Sequence, residues 1–121
     1  ADLNAITHRF VGEAVDQLLD QARKEGRPAA AIDAIALIES GLSLRCHVVI
    51  AVIAPEEVRV KRIMAREGIS EEYARLRVRA QKDEAFFRVN CDYSLENDGS
   101  ESQSAVEARA RTLFQDILKT V

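Results

Sequence analysis

Apolar residues in the first part of the chain recur at helical period. Phe10, Ala14, Leu18 and Ala22 fall every four positions, with Val11, Val15 and Leu19 beside them. That spacing predicts an amphipathic helix over residues 3–24, with this stripe as its buried face. Gly26-Arg27-Pro28 stops it. Ala29–Ile32 is a short unalternated apolar run ending in Asp33. Alanine weighs weakly against a strand, but the position between a helix stop and the apolar Ile35–Leu37 favours a buried parallel one. A short helix is expected over 35–40, closed by Gly41. The run from His47 to Ile53, β-branched and apolar on both faces, is the strongest strand signal. Ala54-Pro55-Glu56-Glu57 opens a helix, with proline at its first position and acids in its first turn. Gly68 breaks the pattern and Ser70 caps a second helix from Glu71 to about Gln81. Phe86 and Phe87 follow in a helical or irregular segment and are expected to pack. Residues 92–96 read as a third, short strand, broken by Asn97-Asp98-Gly99-Ser100. A last helix runs over about 102–120, with Val106, Ala110, Leu113, Phe114, Ile117 and Leu118 facing inward.

Strands alternating with helices predict an α/β fold with a parallel sheet. The 121 residues are the size of one domain, and 47% apolar with 31% charged residues makes the chain globular rather than disordered. A net charge of −3 argues against a general nucleic-acid binder, and aromatic residues do not interleave with the arginines. No apolar run approaches the ~18–20 residues of a spanning helix, and no leader pattern opens the chain. Cys46 and Cys91 suit a reducing, cytoplasmic setting better than a disulfide framework. Two cysteines and two histidines without close spacing make no zinc site.

Basic charge is concentrated between Arg59 and Lys82, in RVKRIMAREGISEEYARLRVRAQK. Arg62 and Arg66 lie one helical turn apart on one face. Two guanidinium forks so placed can grip a polyanion, or they can form a solvated face neutralised by Glu67, Glu71 and Glu72. Asp33 stands just past a predicted strand end, where α/β sheets place ligand chemistry and where an acid can hold magnesium; equally, it caps the following helix. His8 is a candidate group or a partly exposed helix histidine.

In order along nearly the whole chain, these segments resemble dephospho-CoA kinase, a P-loop kinase family. LNAITH at residues 3–8, IDAIALIESGL at 32–42, VIAVIAPEEVRVKRIMAREGIS at 49–70, RVRAQ at 77–81 and DYSLENDGS at 92–100 carry the resemblance. Arg9 stands where the family has proline after its histidine, and Ile35 or Ala36 where a proline commonly precedes the leucine-rich turn. The family's G-x-x-x-x-G-K-[ST] loop is not among these residues: none of the five glycines precedes Lys-Ser or Lys-Thr. The resemblance is thus to the carboxyl-terminal part of such a kinase.

It implies a partial three-layer P-loop-kinase-like fold, a parallel sheet with helices on both faces and a helical lid over about 59–82, the whole chain being one partial kinase domain. It implies ATP-dependent phosphorylation of the ribose 3'-hydroxyl of dephospho-CoA in coenzyme A biosynthesis, with ATP and Mg as cofactors. Arg62 would stack on or flank the adenine. Arg66 and Arg77 would reach the ATP phosphates, and Asn97, Asp98 and Gly99 would form the turn beside the base. Asp33 would sit near magnesium, while His8 and Glu39 would lie toward dephospho-CoA. No catalytic residue is carried over, because the family's general base also lies outside the matched stretch. The isolated chain is therefore expected to be inactive. In the family the first strand lies between the strand ending at Asp33 and that of residues 48–53, so these would pair directly or recruit a second copy through exposed edges. The competing reading is a non-catalytic interaction domain or a weak adenine-nucleotide-binding module.

Overall fold

The computed structural model describes residues 2–120. They divide into two units, residues 1–47 and 48–121.

In the first unit, α1 (Asp2–Lys24) is followed by irregular chain, hydrogen-bonded turns and a single 3₁₀ turn at Leu42–Arg45. Arg45 closes this turn back onto α1. Its Nε and Nη2 donate to the two Asp16 carboxylate oxygens at 2.6 and 3.2 Å. The guanidinium lies over Gly12, where an added Cβ would meet Nη2 at 2.9 Å, so a side chain there would push the arginine away.

The second unit is built on a parallel pair, β1 (Ile50–Ile53) and β2 (Tyr93–Glu96), in register Ile50 with Tyr93 through Ile53 with Glu96. Parallel strands need a crossover of a dozen residues or more. Here it holds α2 (Glu56–Glu67), α3 (Glu71–Arg79) and α4 (Glu84–Asn90), and α5 (Gln103–Thr120) follows β2. Helices lie on both sides of the sheet, the expected α/β arrangement. Gly68 ends α2 in the left-handed region at φ 66°, and its N–H returns to the Met64 carbonyl at 2.9 Å. That conformation is easy for glycine and costly for other residues. Ser70 Oγ accepts from the Tyr73 N–H at 3.2 Å and starts α3, and Asp83 does the same for α4 through the Phe86 N–H at 2.9 Å. The turn between α2 and α3 brings Val60, Ala74 and Val78 together, fully or almost fully buried, with Ile63, Met64 and Ile69 packed around them.

Several expectations need correction. Residues 29–33 form no strand. Ala29–Ala31 are exposed irregular chain, and the sheet of the described residues has two strands rather than three. An alanine run has little intrinsic β preference and holds strand form only where a neighbour takes up its backbone groups. The helix expected over 35–40 is a set of turns, and Gly41, at φ 83°, precedes the 3₁₀ turn rather than ending a helix. The α1 stripe is mostly uncovered: Phe10 is 57% and Leu18 70% exposed, while Val15, Leu19 and Ala22 are half-buried. The strong strand is also shorter than its apolar run, beginning at Ile50 rather than His47.

Candidate functional site

The carboxyl ends of β1 and β2 organise the site. Ligands of parallel α/β sheets gather beyond these ends. The Asn97 N–H donates to the Ile53 carbonyl at 2.8 Å, which pins the turn after β2 to the last residue of β1. Within that turn Asp98 accepts from the Ser100 hydroxyl at 2.6 Å and from its N–H at 2.9 Å. These two bonds hold the Asp98 carboxyl below the ordinary carboxylate range. Gly99 follows at φ 83°, a geometry that favours glycine.

Arg62 reaches this turn from α2. Its Nη2 donates to Asn97 Oδ1 at 3.4 Å, and the guanidinium lies 3.6 Å from where a Gly99 Cβ would stand. Arg62, Asn97 and Gly99 line an open cleft of about 470 Å³ together with Glu101, Gln103, Val106 and Glu107. Two of the cleft's acids are engaged. Glu101 pairs with Arg109 at 2.6 Å, and Glu107 Oε1 accepts from Gln103 Nε2 at 3.2 Å. Arg109 also donates to the Glu96 carbonyl at 2.7 Å, tying the first turns of α5 to the end of β2. The α5 contribution was not anticipated from sequence. The signal available was spacing: Gln103, Val106 and Glu107 share one helical face directly after a turn-forming run. The cleft offers a planar cation on one wall, an apolar Val106 and several acceptors, which suits a flat, amine-bearing heteroaromatic ring.

The other arginines of the basic segment are partnered as well, Arg59 by an amide and the rest by carboxylates. Arg75 donates to Glu56, Glu57 and Glu71 at 2.9, 2.7 and 2.9 Å, and these three carboxylates raise its already high pKa. Arg79 also bonds Glu56, at 3.2 Å. Glu56 and Glu57 are held below the ordinary carboxylate range in return, Glu56 chiefly by Arg79 and Glu57 chiefly by Arg75. Arg59 donates to Gln81, so it joins Glu56 and Glu57 in binding α2 to α3 or its end. Arg66 and Arg77 share one carboxylate, that of Glu67. Neither Arg66 nor Arg77 lines the Arg62 cleft, and Asp98 is absent from its lining as well.

The first unit holds the remaining candidates. His8, itself exposed, borders a small apolar cavity of about 160 Å³ with Val11, Ala34, Ala36, Ser40 and Leu42. Glu39 is exposed and does not line it. Asp33 is exposed in irregular chain. Among the described residues no group of three or more His, Cys, Asp or Glu is placed to hold a metal ion. Cys46 and Cys91 are free thiols whose pKa values are raised by partial burial. No described helix is long and apolar enough to cross a membrane.

Comparison with known proteins bears on the whole arrangement. The family model described as dephospho-CoA kinase, CoaE, matches residues 1–103. A dephospho-CoA kinase of Corynebacterium diphtheriae is 36% identical over 95% of this chain and 56% of its own length. One from Thermobifida fusca is 35% identical over 97% of this chain and 56% of its own. The crystal structure of TT1252 from Thermus thermophilus superposes with a TM-score of 0.61 at 32% identity, covering 84% of this chain and 53% of that one. The chain thus spans about half the length of the curated relatives it matches. The α/β, P-loop-kinase-like architecture read from the sequence is present in partial form, and the chain belongs to the dephospho-CoA kinase family.

Proposed function

We propose that these residues supply the lid and the base-binding side of a dephospho-CoA kinase, which transfers the γ-phosphoryl group of ATP to the ribose 3'-hydroxyl of dephospho-CoA in coenzyme A biosynthesis. The observation that carries this reading is the convergence of Arg62, Asn97 and Gly99 on one cleft beyond the parallel strand ends. Arg62 lays its flat cation on the adenine ring. Asn97 and Gly99 present side-chain and backbone groups to the ring edge, while Asp98 braces their turn. Arg66 and Arg77 serve the phosphates, where charge spreads over the transferring group. Magnesium enters with the ATP phosphates, and Asp33 contributes at most one carboxylate to it. His8 and Glu39 lie on the dephospho-CoA side, and the setting is cytoplasmic.

The G-x-x-x-x-G-K-[ST] cradle is not in this sequence, so the 121-residue chain alone binds nucleotide weakly and transfers nothing. The same observation supports the second reading, an adenine-nucleotide-binding or interaction module without catalysis. Incubating the chain with ATP, magnesium and dephospho-CoA and following coenzyme A formation separates the possibilities. No turnover is expected alone. Activity is expected when the complementary half of a full-length relative is added, and Arg62→Ala then lowers it on the order of 10²-fold, far more than Arg79→Ala. Turnover of roughly 1–100 s⁻¹ by the chain itself would overturn the assignment. Failure of any complementary half to restore activity, with nucleotide binding intact, would favour the second reading.

A further inference from the structure

We propose that Glu67 holds the place of a polyanion between Arg66 and Arg77, so that the two guanidinium groups form an anion site whose ligand must first displace this carboxylate. Glu67 is the last residue of α2, and Gly68 turns the chain immediately after it. Its Oε2 pairs with Arg77 Nη1, and its Oε1 lies 3.5 Å from both Arg77 Nη2 and Arg66 Nη2. Both oxygens are therefore engaged by donors, as two oxygens of a phosphoryl group would be.

The balance of charge separates this spot from the neighbouring one. At Arg75, three carboxylates surround one guanidinium whose side chain is 21% exposed. An incoming anion there meets excess negative charge. At Glu67, one carboxylate serves two cations, whose side chains are 71% and 45% exposed, and positive charge is left over. Ion pairs of this exposure are weak, so an anion carrying several charges can replace the carboxylate at small cost. Arg62 stands one turn before Arg66 on α2. The inference rests on the reading that this end of the helix pair meets nucleotide phosphates, and it adds a resting-state competitor for them.

The test is calorimetric titration of the 121-residue chain with inorganic tripolyphosphate and, separately, with ATP. Glu67→Gln keeps a comparable helix propensity and removes the competing charge. It should tighten tripolyphosphate binding by about two- to five-fold, the range of a surface ion pair. Glu72→Gln removes the same charge from exposed α3 and should have a much smaller effect. Arg66→Ala with Arg77→Ala should weaken binding by more than about ten-fold. Equal tightening by the two glutamine variants, no tightening by Glu67→Gln, or no tripolyphosphate binding by any variant overturns the proposal. ATP binding no better than tripolyphosphate would remove the nucleotide reading while the Glu67 effect stood. Tight ATP binding indifferent to Glu67→Gln would leave that reading intact and sink this one.

Discussion

The α2–α3 hairpin and α1 both carry apolar stripes at helical spacing, and they end in opposite conditions. In the hairpin, Val60 is 1% exposed, Ala74 0% and Val78 4%. In α1, Phe10 and Leu18 face outward, while Gly12 is buried. The difference is not hydrophobicity. The hairpin's second helix begins four residues after its first ends, so the covering surface is local in sequence. Glu56, Glu57 and Gln81 then bind Arg75, Arg79 and Arg59 across the two helices. After α1 the chain runs into an alanine-rich irregular segment, and a single 3₁₀ turn returns to it through Arg45. An amphipathic pattern states which face requires cover; whether cover exists depends on what the rest of the chain can supply.

The largest effect that tests this contrast is in the hairpin. Val60→Ala removes two buried methyl groups from a packed cluster and should cost about 2 kcal/mol. Hydrogen exchange of the α2 and α3 amides under mild denaturant measures it. A cost near zero would mean that the hairpin is held by its ion pairs and not by Val60, Ala74 and Val78. Ser70→Ala comes next. It removes the acceptor for the Tyr73 N–H and should destabilise α3 by about 1 kcal/mol, with Ser70→Gly milder.

The same contrast explains what was legible in the sequence. The hairpin's helices, their caps at Ser70 and Gly68, the Asn97–Ser100 turn and the parallel α/β order were readable, because each depends on neighbours within a few residues or on a strong β-branched run. The absence of a strand at residues 29–33 was not, because strand form depends on a neighbour that local pattern cannot reveal. The site divides in the same way. Arg62 and the Asn97–Gly99 turn were named from the resemblance, and they converge because β1 and β2 pair in parallel and Asn97 bonds Ile53. The α5 residues Gln103, Val106 and Glu107 were missed, since the face they share after the turn acquires its use only where that turn meets Arg62, thirty-five residues before Asn97. Partner choice among the arginines was also hidden. Arg75 and Arg77 are two positions apart, yet one is enclosed by three acids and the other shares one.

Acid titration should act on both regions in the same direction, by less than these substitutions, because the pairs are at the surface. Glu56, Glu57 and Asp16 all have depressed carboxyl pKa values. Folding therefore binds fewer protons than the unfolded chain in that range, and stability rises with pH there. The contribution is complete above the unfolded carboxylate values, about 4. It is lost as pH falls through the lower folded values. Thermal unfolding between acid and neutral pH reads this out. Glu57→Gln should flatten the hairpin's dependence, and Asp16→Asn that of α1. A variant that leaves its region's acid dependence unchanged would remove that pair from the account.

The smallest effect on stability, and the one that bears most directly on α1, is expected from Phe10→Ser. Phe10 is 57% exposed, and substitutions at such positions usually change stability by within about 0.5 kcal/mol. Its ring carries the Arg9 guanidinium at 5.3 Å, a contact worth little while solvated. Yet Leu3, Ile6, Phe10 and Leu18 are exposed together along one helix, and an uncovered apolar stripe is more costly to leave in water than scattered residues are. Among the described residues the outer edge of β1 is also unpaired in the two-stranded sheet, and Val52 within β1 is 67% exposed. The chain should therefore self-associate as concentration rises, by the stripe, the edge or both. Sedimentation of the wild type and of Phe10→Ser with Leu18→Ser separates the routes. Loss of association in the double variant, with stability nearly unchanged, assigns it to α1. Association that persists assigns it to the sheet edge, which a lysine at Val52 should then block. A wild type that stays monomeric across the concentration series, together with a large loss of stability in Phe10→Ser, would show that Phe10 is covered within the chain in solution, and the contrast between α1 and the hairpin would fail.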